Sequence, residues 1–131
     1  MRVALEAGIV GRDPETLCAF YTDVMRFTLV DRFEHAVGAV YKLRRGDARL
    51  KLFFSVDAVD PVATIEPWFK PGGWRYAALY LEAPNAVDEL AAAVGASTGR
   101  VLMEPTNHRA GARMALVADP EGNAWELLAE E

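Results

Sequence analysis

The sequence predicts an α+β fold in which one strand, one helix and three further strands follow one another twice. Near the N-terminus, apolar and other residues alternate as in a strand with two different faces. An amphipathic helix follows, in which the apolar residues recur with helical spacing. These residues are Leu17, Phe20, Tyr21 and Val24. Residues 76–94 repeat the pattern of residues 6–24, so the chain is predicted to contain two similar modules.

The first module begins with a strand whose apolar residues are predicted to face the helix. These residues are Val3, Leu5 and Ile9. The run Asp13-Pro14-Glu15 is typical of a helix start, because Asp accepts hydrogen bonds from free amides and Pro suits the first turn. Gly46-Asp47 predicts a tight turn between the last two of three strands. The three strands are predicted at about 28–34, 36–43 and 48–55.

The second module repeats this order. Pro84 corresponds to Pro14, Asn85 with Asp88 offers a capping pair, and Gly95 offers a helix stop. The run Asp119-Pro120-Glu121-Gly122 predicts a type I turn. Three strands are predicted near 99–105, 112–118 and 123–129.

Composition indicates a single folded domain over residues 1–131. The chain is 52% apolar and 25% charged, which is ordinary for a folded protein and unlike a disordered one. The first module covers about 1–55 and the second about 74–131. Between them, residues 56–73 are rich in Pro and Gly and are predicted to be a linker.

Charge and cysteine content argue against several classes of protein. The net charge is −5, and the group Lys42, Arg44, Arg45 and Arg49 is interpreted as the solvated end of a hairpin, so no nucleic-acid partner is expected. No apolar stretch approaches the roughly 20 residues that cross a membrane, and the N-terminus lacks the apolar core of a signal peptide. The expected location is the cytoplasm. Cys18 is the only cysteine and is interpreted as a small buried apolar residue.

Two stretches of the chain carry a family resemblance. Residues 12–27 contain Asp13-Pro14 followed by Phe20-Tyr21, and residues 119–127 read DPEGNAWEL. They are similar to the "D…FY.dvLGF" and "DP.GN..EL" signatures of the vicinal oxygen chelate (VOC) superfamily. That superfamily includes glyoxalase I, bleomycin-resistance proteins and extradiol dioxygenases. The resemblance implies two βαβββ modules that form an incomplete mixed barrel around a cup, as in glyoxalase and bleomycin-resistance proteins.

The resemblance also implies four positions for metal ligands. They are occupied here by Glu6, Lys51, Tyr76 and Glu126. Alternation along the predicted strands independently places all four on the face that lines the cup. A protonated Lys repels a divalent ion, and neutral Tyr is a poor ligand.

We therefore expect no standard metal site and no cofactor, with the Lys51 ammonium in place of the ion. A divalent metal held by Glu6 and Glu126 is the alternative. A buried salt-bridge network that only holds the barrel shut also stays open.

Further residues are candidates for ligand binding. Phe53, Trp74, Tyr76 and Tyr80 share the cup-facing parity and are interpreted as an apolar wall for a planar ligand, or alternatively as core or a dimer seam. His108 lies in a predicted polar loop, residues 107–111, that could close over the cup, although a plain surface histidine is the favoured interpretation. His35 is interpreted as structural.

Together these observations favour a metal-free binding protein for a small, partly aromatic molecule, and the family resemblance implies that it is a homodimer. It would resemble the antibiotic-sequestering branch of the superfamily. The alternative is an enzyme: a metal-free isomerase, lyase or cyclase, or a metal-dependent glyoxalase- or dioxygenase-like protein completed by His108 or a partner subunit. In the metal-free enzyme, Glu6 or Glu126 would be the base and Lys51 or Tyr76 would stabilise negative charge. A pure interaction module is a third possibility. The sequence leaves open the ligand and whether the modules pair within or between chains.

Overall fold

A computed structural model of the chain describes residues 3–56, 69, 71 and 73–130. The chain divides into two compact units, Met1–Val62 and Ala63–Glu131. Each unit contains one four-stranded mixed sheet and one helical segment, in the order strand, helix, three strands. The predicted α+β fold with two βαβββ modules is therefore confirmed. Most of the predicted linker lies outside the described residues.

Unit 1 is built on a sheet with the strand order β1-β4-β3-β2. Its elements are β1 (Glu6–Gly11), α1 (Pro14–Ala19), a π-helical turn (Phe20–Val24), β2 (Thr28–His35), β3 (Gly38–Arg45) and β4 (Ala48–Ser55). Strand β1 pairs with β4 in parallel, and the other pairs are antiparallel. The helical segment and one sheet face bury a common set of apolar residues. The main members are Leu17, Phe20, Tyr21, Leu43, Leu50 and Leu52.

Unit 2 repeats this topology with the strand order β5-β8-β7-β6. Its elements are β5 (Tyr76–Tyr80), α2 (Pro84–Gly95), β6 (Arg100–Arg109), β7 (Ala112–Ala118) and β8 (Ala124–Glu130). Helix α2 packs on the sheet through Val87, Leu90 and Val94, which are all buried. No helix among the described residues is both long enough and apolar enough to span a membrane.

The start of α1 follows the prediction. The Asp13 carboxylate caps the helix by accepting hydrogen bonds from the Thr16 backbone N–H (3.2 Å) and hydroxyl (2.8 Å). These hydrogen bonds hold the pKa of Asp13 below its ordinary value of 3.8, because they stabilise the ionised carboxylate. Pro14 occupies the first turn, where its missing N–H has no partner to lose.

The end of this helical segment differs from the regular helix that the periodicity predicts. The chain widens into a π-helical turn in which the Met25 N–H donates to the Phe20 carbonyl (3.0 Å). The Thr22 hydroxyl donates to the Cys18 carbonyl (3.0 Å), and such side-chain bonds compete with regular helical hydrogen bonds. Val24 is consequently only half-buried.

Arg26 closes the helical segment in a left-handed conformation, with φ of 65°. Glycine usually occupies such a position, and the "LGF" end of the VOC signature has glycine there. The turn that follows brings the Phe27 N–H to the Tyr21 carbonyl (2.8 Å), and Phe27 is buried edge-on against the Tyr21 ring. Because this packing fixes the turn, the Arg26 backbone carries the strain.

Two predicted features of the N-terminal strand are wrong. Val3 and Leu5 do not face the helix; both are 86% exposed. Strand β1 begins only at Glu6, which pairs with Arg49. The parallel partner, β4, begins at Ala48 after the hairpin turn, so Leu5 lies level with the first residue of that strand and Val3 runs past its end.

The predicted capping pair of the second helix is also wrong. Ala83 is the N-cap of α2, and no side chain caps it. The Asp88 carboxylate instead accepts two hydrogen bonds from Arg113 on β7, from Nε (2.7 Å) and Nη2 (2.6 Å). This two-point contact ties α2 to the sheet of unit 2.

The strand ends move by a few residues from their predicted places. Strand β3 begins at Gly38 and not at residue 36, because the chain turns after His35, whose Nδ1 accepts from the Val37 N–H (3.4 Å). Strand β6 extends to Arg109, so the predicted loop 107–111 is mostly strand. Only Ala110 and Gly111 form the turn.

The DPEGN run forms the predicted turn between β7 and β8. The Gly122 N–H donates to the Asp119 carbonyl (3.0 Å). The buried Asp119 carboxylate accepts from the Glu121 N–H (2.9 Å), the Asn123 N–H (3.0 Å) and the Asn123 side-chain amide (2.8 Å). This part of the family motif therefore has a structural function that any activity would require.

Replacing Asp119 with Ala is expected to lower the free energy of unfolding by about 3 kcal/mol, because two backbone N–H groups lose their acceptor in a buried turn. Urea unfolding monitored by circular dichroism measures the loss. Asp47→Ala in the exposed hairpin turn is the control and should change stability by less than about 0.5 kcal/mol. Equal losses for the two variants would contradict the structural function of Asp119.

Replacing Arg26 with Gly is expected to raise the free energy of unfolding by about 1 kcal/mol, because glycine adopts a positive φ without strain. Arg26→Ala is the matched control, since it removes the same charge but keeps the Cβ atom. Thermal unfolding should therefore show a higher Tm for the Gly variant only. A similar gain for both variants would locate the effect in the charge and not in the backbone.

The Asp88–Arg113 contact predicts a pH dependence of stability. Hydrogen bonding to Arg113 lowers the pKa of Asp88 from its ordinary value of 3.8. A lowered pKa means that the ionised pair stabilises the folded state fully above 3.8, and that this stabilisation is lost as the pH falls through the folded-state value.

Urea unfolding between neutral pH and about pH 2.5 compares wild type with Asp88→Asn. The stability difference between the two proteins should be largest at neutral pH and should shrink below 3.8. A difference that does not change with pH would show that the charge of Asp88 has no stabilising effect.

Candidate functional site

The sheet of unit 1 has one face packed against the helical segment and one helix-free face. Along β4, Leu50, Leu52 and Phe54 are buried on the helix side, while the residues between them are exposed or half-buried. We refer to the second side as the helix-free face of unit 1. Its central residues are Glu6, Gly8, Val10, Asp31, Phe33, Val40, Lys42, Arg44, Arg49, Lys51 and Phe53.

A row of side chains crosses all four strands of this face at its middle. In register, Gly8 lies opposite Lys51, Lys51 opposite Lys42, and Lys42 opposite Asp31. Glu6 lies on the same face of β1, two residues before Gly8. The sheet therefore brings two lysines on adjacent strands close to one carboxylate.

The Glu6 carboxylate lies between the two ammonium groups. Its Oε2 is 3.5 Å from Lys42 Nζ, and its Oε1 is 3.7 Å from Lys51 Nζ. The Glu6 side chain is 26% exposed, and the Lys42 and Lys51 side chains are 39% and 45% exposed. We call these three residues the Glu6 cluster. It carries one more positive than negative charge.

Lys42 is a member of this cluster that the sequence interpretation missed. It was grouped with the solvated hairpin end, yet its side chain reaches Glu6, and Arg45 donates to the Met25 carbonyl (3.0 Å) on the helix side. The signal was present in the Gly46-Asp47 turn. A two-residue turn that pairs Arg45 with Ala48 necessarily pairs Lys42 with Lys51.

An apolar row lies next to the lysines on the helix-free face of unit 1. Val10 pairs with Phe53, Phe53 with Val40, and Val40 with Phe33. Val10 is 74% exposed and Phe33 is 42% exposed, while Phe53 is half-buried. Each residue of this row lies two positions along its strand from a member of the lysine row.

Unit 2 holds the other two predicted ligand positions on the corresponding face of its own sheet. Glu126 is half-buried on β8, and its register partners are Ala78 and Leu116. Tyr76 is exposed at the start of β5 and pairs with Ala124. Glu126 occupies the position in unit 2 that Lys51 occupies in unit 1. Glu126 pairs with Ala78, the third residue of β5, just as Lys51 pairs with Gly8, the third residue of β1.

The predicted aromatic wall is divided between the two units. Phe53 lies in the apolar row of unit 1, whereas Trp74, Tyr76 and Tyr80 belong to unit 2. Trp74 precedes β5 and is 98% exposed, and both tyrosines are exposed too. The interpretation of these three aromatics as ordinary core is therefore wrong, and both ligand binding by them and a dimer seam stay predictions.

The two remaining single-residue interpretations concern His108 and Cys18. His108 lies in strand β6 and is exposed, so it does not sit in a loop that could close over a site. Cys18 is half-buried, and burial raises the pKa of its thiol above the ordinary value of 9.0. A neutral thiol is a weak nucleophile, which agrees with a packing function.

The donor set of unit 1 does not fit a divalent metal ion. Among the described residues, no three His, Cys, Asp or Glu side chains form a group that could hold a metal. The one carboxylate at the first predicted position already lies between two cations, and each would repel a divalent ion. Lys51 offers no lone pair while protonated.

Comparison with known proteins identifies the family. The family model of the Glyoxalase/Bleomycin resistance protein/Dioxygenase superfamily matches residues 4–127. No curated protein sequence gave a match. Solved structures with the same fold include a glyoxalase family protein from Bacillus cereus. It has a TM-score of 0.81 and 13% identity, over 99% of this chain and 95% of that one.

Two further solved structures agree with this fold. A glyoxylase/bleomycin resistance protein/dioxygenase domain from Frankia sp. EAN1pec has a TM-score of 0.80 at 13% identity, over 100% of this chain and 93% of that one. The trypanothione-dependent glyoxalase I of Leishmania major has a TM-score of 0.77 at 22% identity, over 99% and 88%. At these identities the likeness concerns the fold. Because the family model spans nearly the whole sequence, the chain belongs to the Glyoxalase/Bleomycin resistance protein/Dioxygenase superfamily.

Proposed function

We propose that this chain is a metal-free, small-molecule-binding member of the superfamily, similar to the members that sequester antibiotics. The observation that carries the proposal is the Glu6 carboxylate between Lys42 and Lys51. We further propose a cytoplasmic homodimer. The absence of a cysteine pair agrees with a reducing compartment, and the dimer follows the family resemblance.

Electrostatics supports the metal-free part of this proposal. A divalent ion bound by Glu6 would lie within a few ångströms of two ammonium groups that are themselves only partly exposed. Two like charges about 4 Å apart repel by several kcal/mol when they are partly shielded from water. Binding a metal would therefore require both lysines to move away from the carboxylate or to lose a proton.

The apolar row supports the small-molecule part. Val10 and Phe53 present apolar surface on neighbouring strands, and Phe33 does so on β2, beyond the buried Val40; charged side chains lie beside all three. Apolar surface with a few nearby polar groups is typical of ligand sites. An aromatic or otherwise flat molecule would cover this row.

The alternative enzymatic function stays a prediction. It assigns proton transfer to Glu6 or Glu126 and stabilisation of negative charge to Lys51 or Tyr76. If turnover of a substrate were found, Glu6→Gln and Glu126→Gln should abolish it and leave binding intact. Loss of binding together with turnover would instead assign these side chains to the organisation of the site.

Titration of metal-stripped protein with Zn²⁺, Ni²⁺ and Mn²⁺ tests the proposal by calorimetry. Wild type is expected to show no site tighter than about 10 µM, because the lysines repel the ion. Lys51→Glu should bind at least about tenfold more tightly, since it removes a cation and adds a carboxylate.

Arg44→Glu is the control for this titration. It makes the same change of charge on the helix-free face of unit 1, but it leaves both lysines beside Glu6. We expect its affinity for metal to exceed that of wild type by no more than about twofold. A wild-type site of one ion per chain with submicromolar affinity, lost in Glu6→Gln, would overturn the metal-free function.

A further inference from the structure

We propose that the helix-free face of unit 1 binds an amphipathic anion. A carboxylate, sulfonate or phosphate group of the ligand is held by Lys42 and Lys51, and its flat apolar part lies on the row of Val10, Phe53 and Phe33. This inference rests on the proposed small-molecule function and names the class of ligand that the same site selects.

The charge of this face is opposite to the charge of the whole chain. The net charge of the sequence is −5. On the helix-free face of unit 1, however, the lysine row and the row on its other side, opposite the apolar row, together carry four cations and two carboxylates. The cations are Lys42, Lys51, Arg44 and Arg49, and the carboxylates are Glu6 and Asp31. A local positive field in an acidic protein favours an anionic ligand.

Neither carboxylate fully satisfies the lysines. The distances of 3.5 and 3.7 Å from Glu6 are longer than a charge-assisted hydrogen bond, which is about 2.8 Å. The Asp31 carboxylate accepts from the Arg32 backbone N–H (2.8 Å) at the irregular pairing between β2 and β3. Each ammonium group carries three N–H donors, so both lysines have further donors to offer a bound anion.

Gly8 leaves room for the anionic group. It lies directly opposite Lys51, and a Cβ atom added there would meet no described atom within 4 Å. Any larger residue at this position would fill space beside the Lys51 side chain. The glycine therefore keeps the middle row of the face accessible next to its two cations.

The spacing of the rows fits one molecule that uses both features. Residues two apart on a strand lie about 7 Å from each other on the same face. This step leads from Lys51 to Phe53 and from Gly8 to Val10. The cations and the apolar row are thus separated by about the width of one aromatic ring system. This separation favours an aryl or polycyclic anion over a small inorganic one.

Glu6 acts as an internal competitor in this arrangement. Its carboxylate occupies the place between the lysines that a ligand anion would take, and its ion pairs are partly exposed and hence weak. Removing its charge should strengthen binding of an anion. A purely structural ion-pair cluster makes the opposite prediction, because its loss would loosen the sheet.

Two fluorescent probes with the same ring system test the inference. Anilinonaphthalene sulfonate is an aromatic anion, and phenylnaphthylamine is its uncharged relative. We expect the sulfonate to bind wild type at least about tenfold more tightly, with an affinity that falls as salt is added. Lys42→Met and Lys51→Met should each weaken sulfonate binding roughly tenfold, while Glu6→Gln strengthens it.

Arg26→Gly is the control variant, because it removes a cation at the end of the helical segment and away from this face. It should bind the sulfonate as wild type does. Circular dichroism verifies that every variant is folded, and the Met residues preserve the apolar stems of the lysines.

The outcomes separate this inference from the proposed function. Equal binding of both probes, or sulfonate binding that the lysine variants do not change, would overturn the anionic class and leave a small-molecule site. Weaker sulfonate binding by Glu6→Gln would also overturn it. A tight metal site in the titration above would overturn the metal-free function whatever the probes show.

Discussion

The pairing of strands β3 and β4 is the constraint on which the site of unit 1 depends. The turn at Gly46-Asp47 pairs Arg45 with Ala48, and every later pair of the hairpin follows from that one. Lys42 and Lys51 are thereby fixed side by side on the same face. Parallel pairing of β1 with β4 then brings Glu6 to them. A one-residue slip between β3 and β4 would put the two lysines on opposite faces and send one of them into the apolar core, which the burial of Leu43, Leu50 and Leu52 opposes.

This geometry changes what the family fold can do at this position. A carboxylate that projects from the first strand is suited to holding a cation, and here two protein ammonium groups supply that cation. Because the cluster keeps an excess positive charge, its electrostatic preference is for an anion. Under our proposal, the position that the family resemblance assigns to a metal ligand belongs instead to a site that prefers an anion.

Much of the fold could be predicted because its signals are local. Helix start at Asp13, the hairpin turn and the Asp119 turn each depend on hydrogen bonds within a few residues, and all three formed as expected. Errors arose where a distant element decides the outcome. Asp88 offered a plausible cap, but Arg113 on a neighbouring strand binds it instead.

The candidate site shows the same division. Alternation along β1 and β4 correctly put Glu6 and Lys51 on the same side as each other, and the structure brings them together. Lys42 belongs to a basic run along the chain, and only the hairpin register makes it the cross-strand neighbour of Lys51. The exposure of Trp74 had no local signal either, because burial depends on which distant residues pack against a side chain.

Anomalous diffraction from crystals soaked in manganese bromide offers the site a cation and an anion in one soak. We expect a bromide peak within hydrogen-bonding distance of Lys42 Nζ and Lys51 Nζ, with no manganese at Glu6. A manganese peak coordinated by the Glu6 carboxylate, with both lysine side chains turned away, would contradict this expectation.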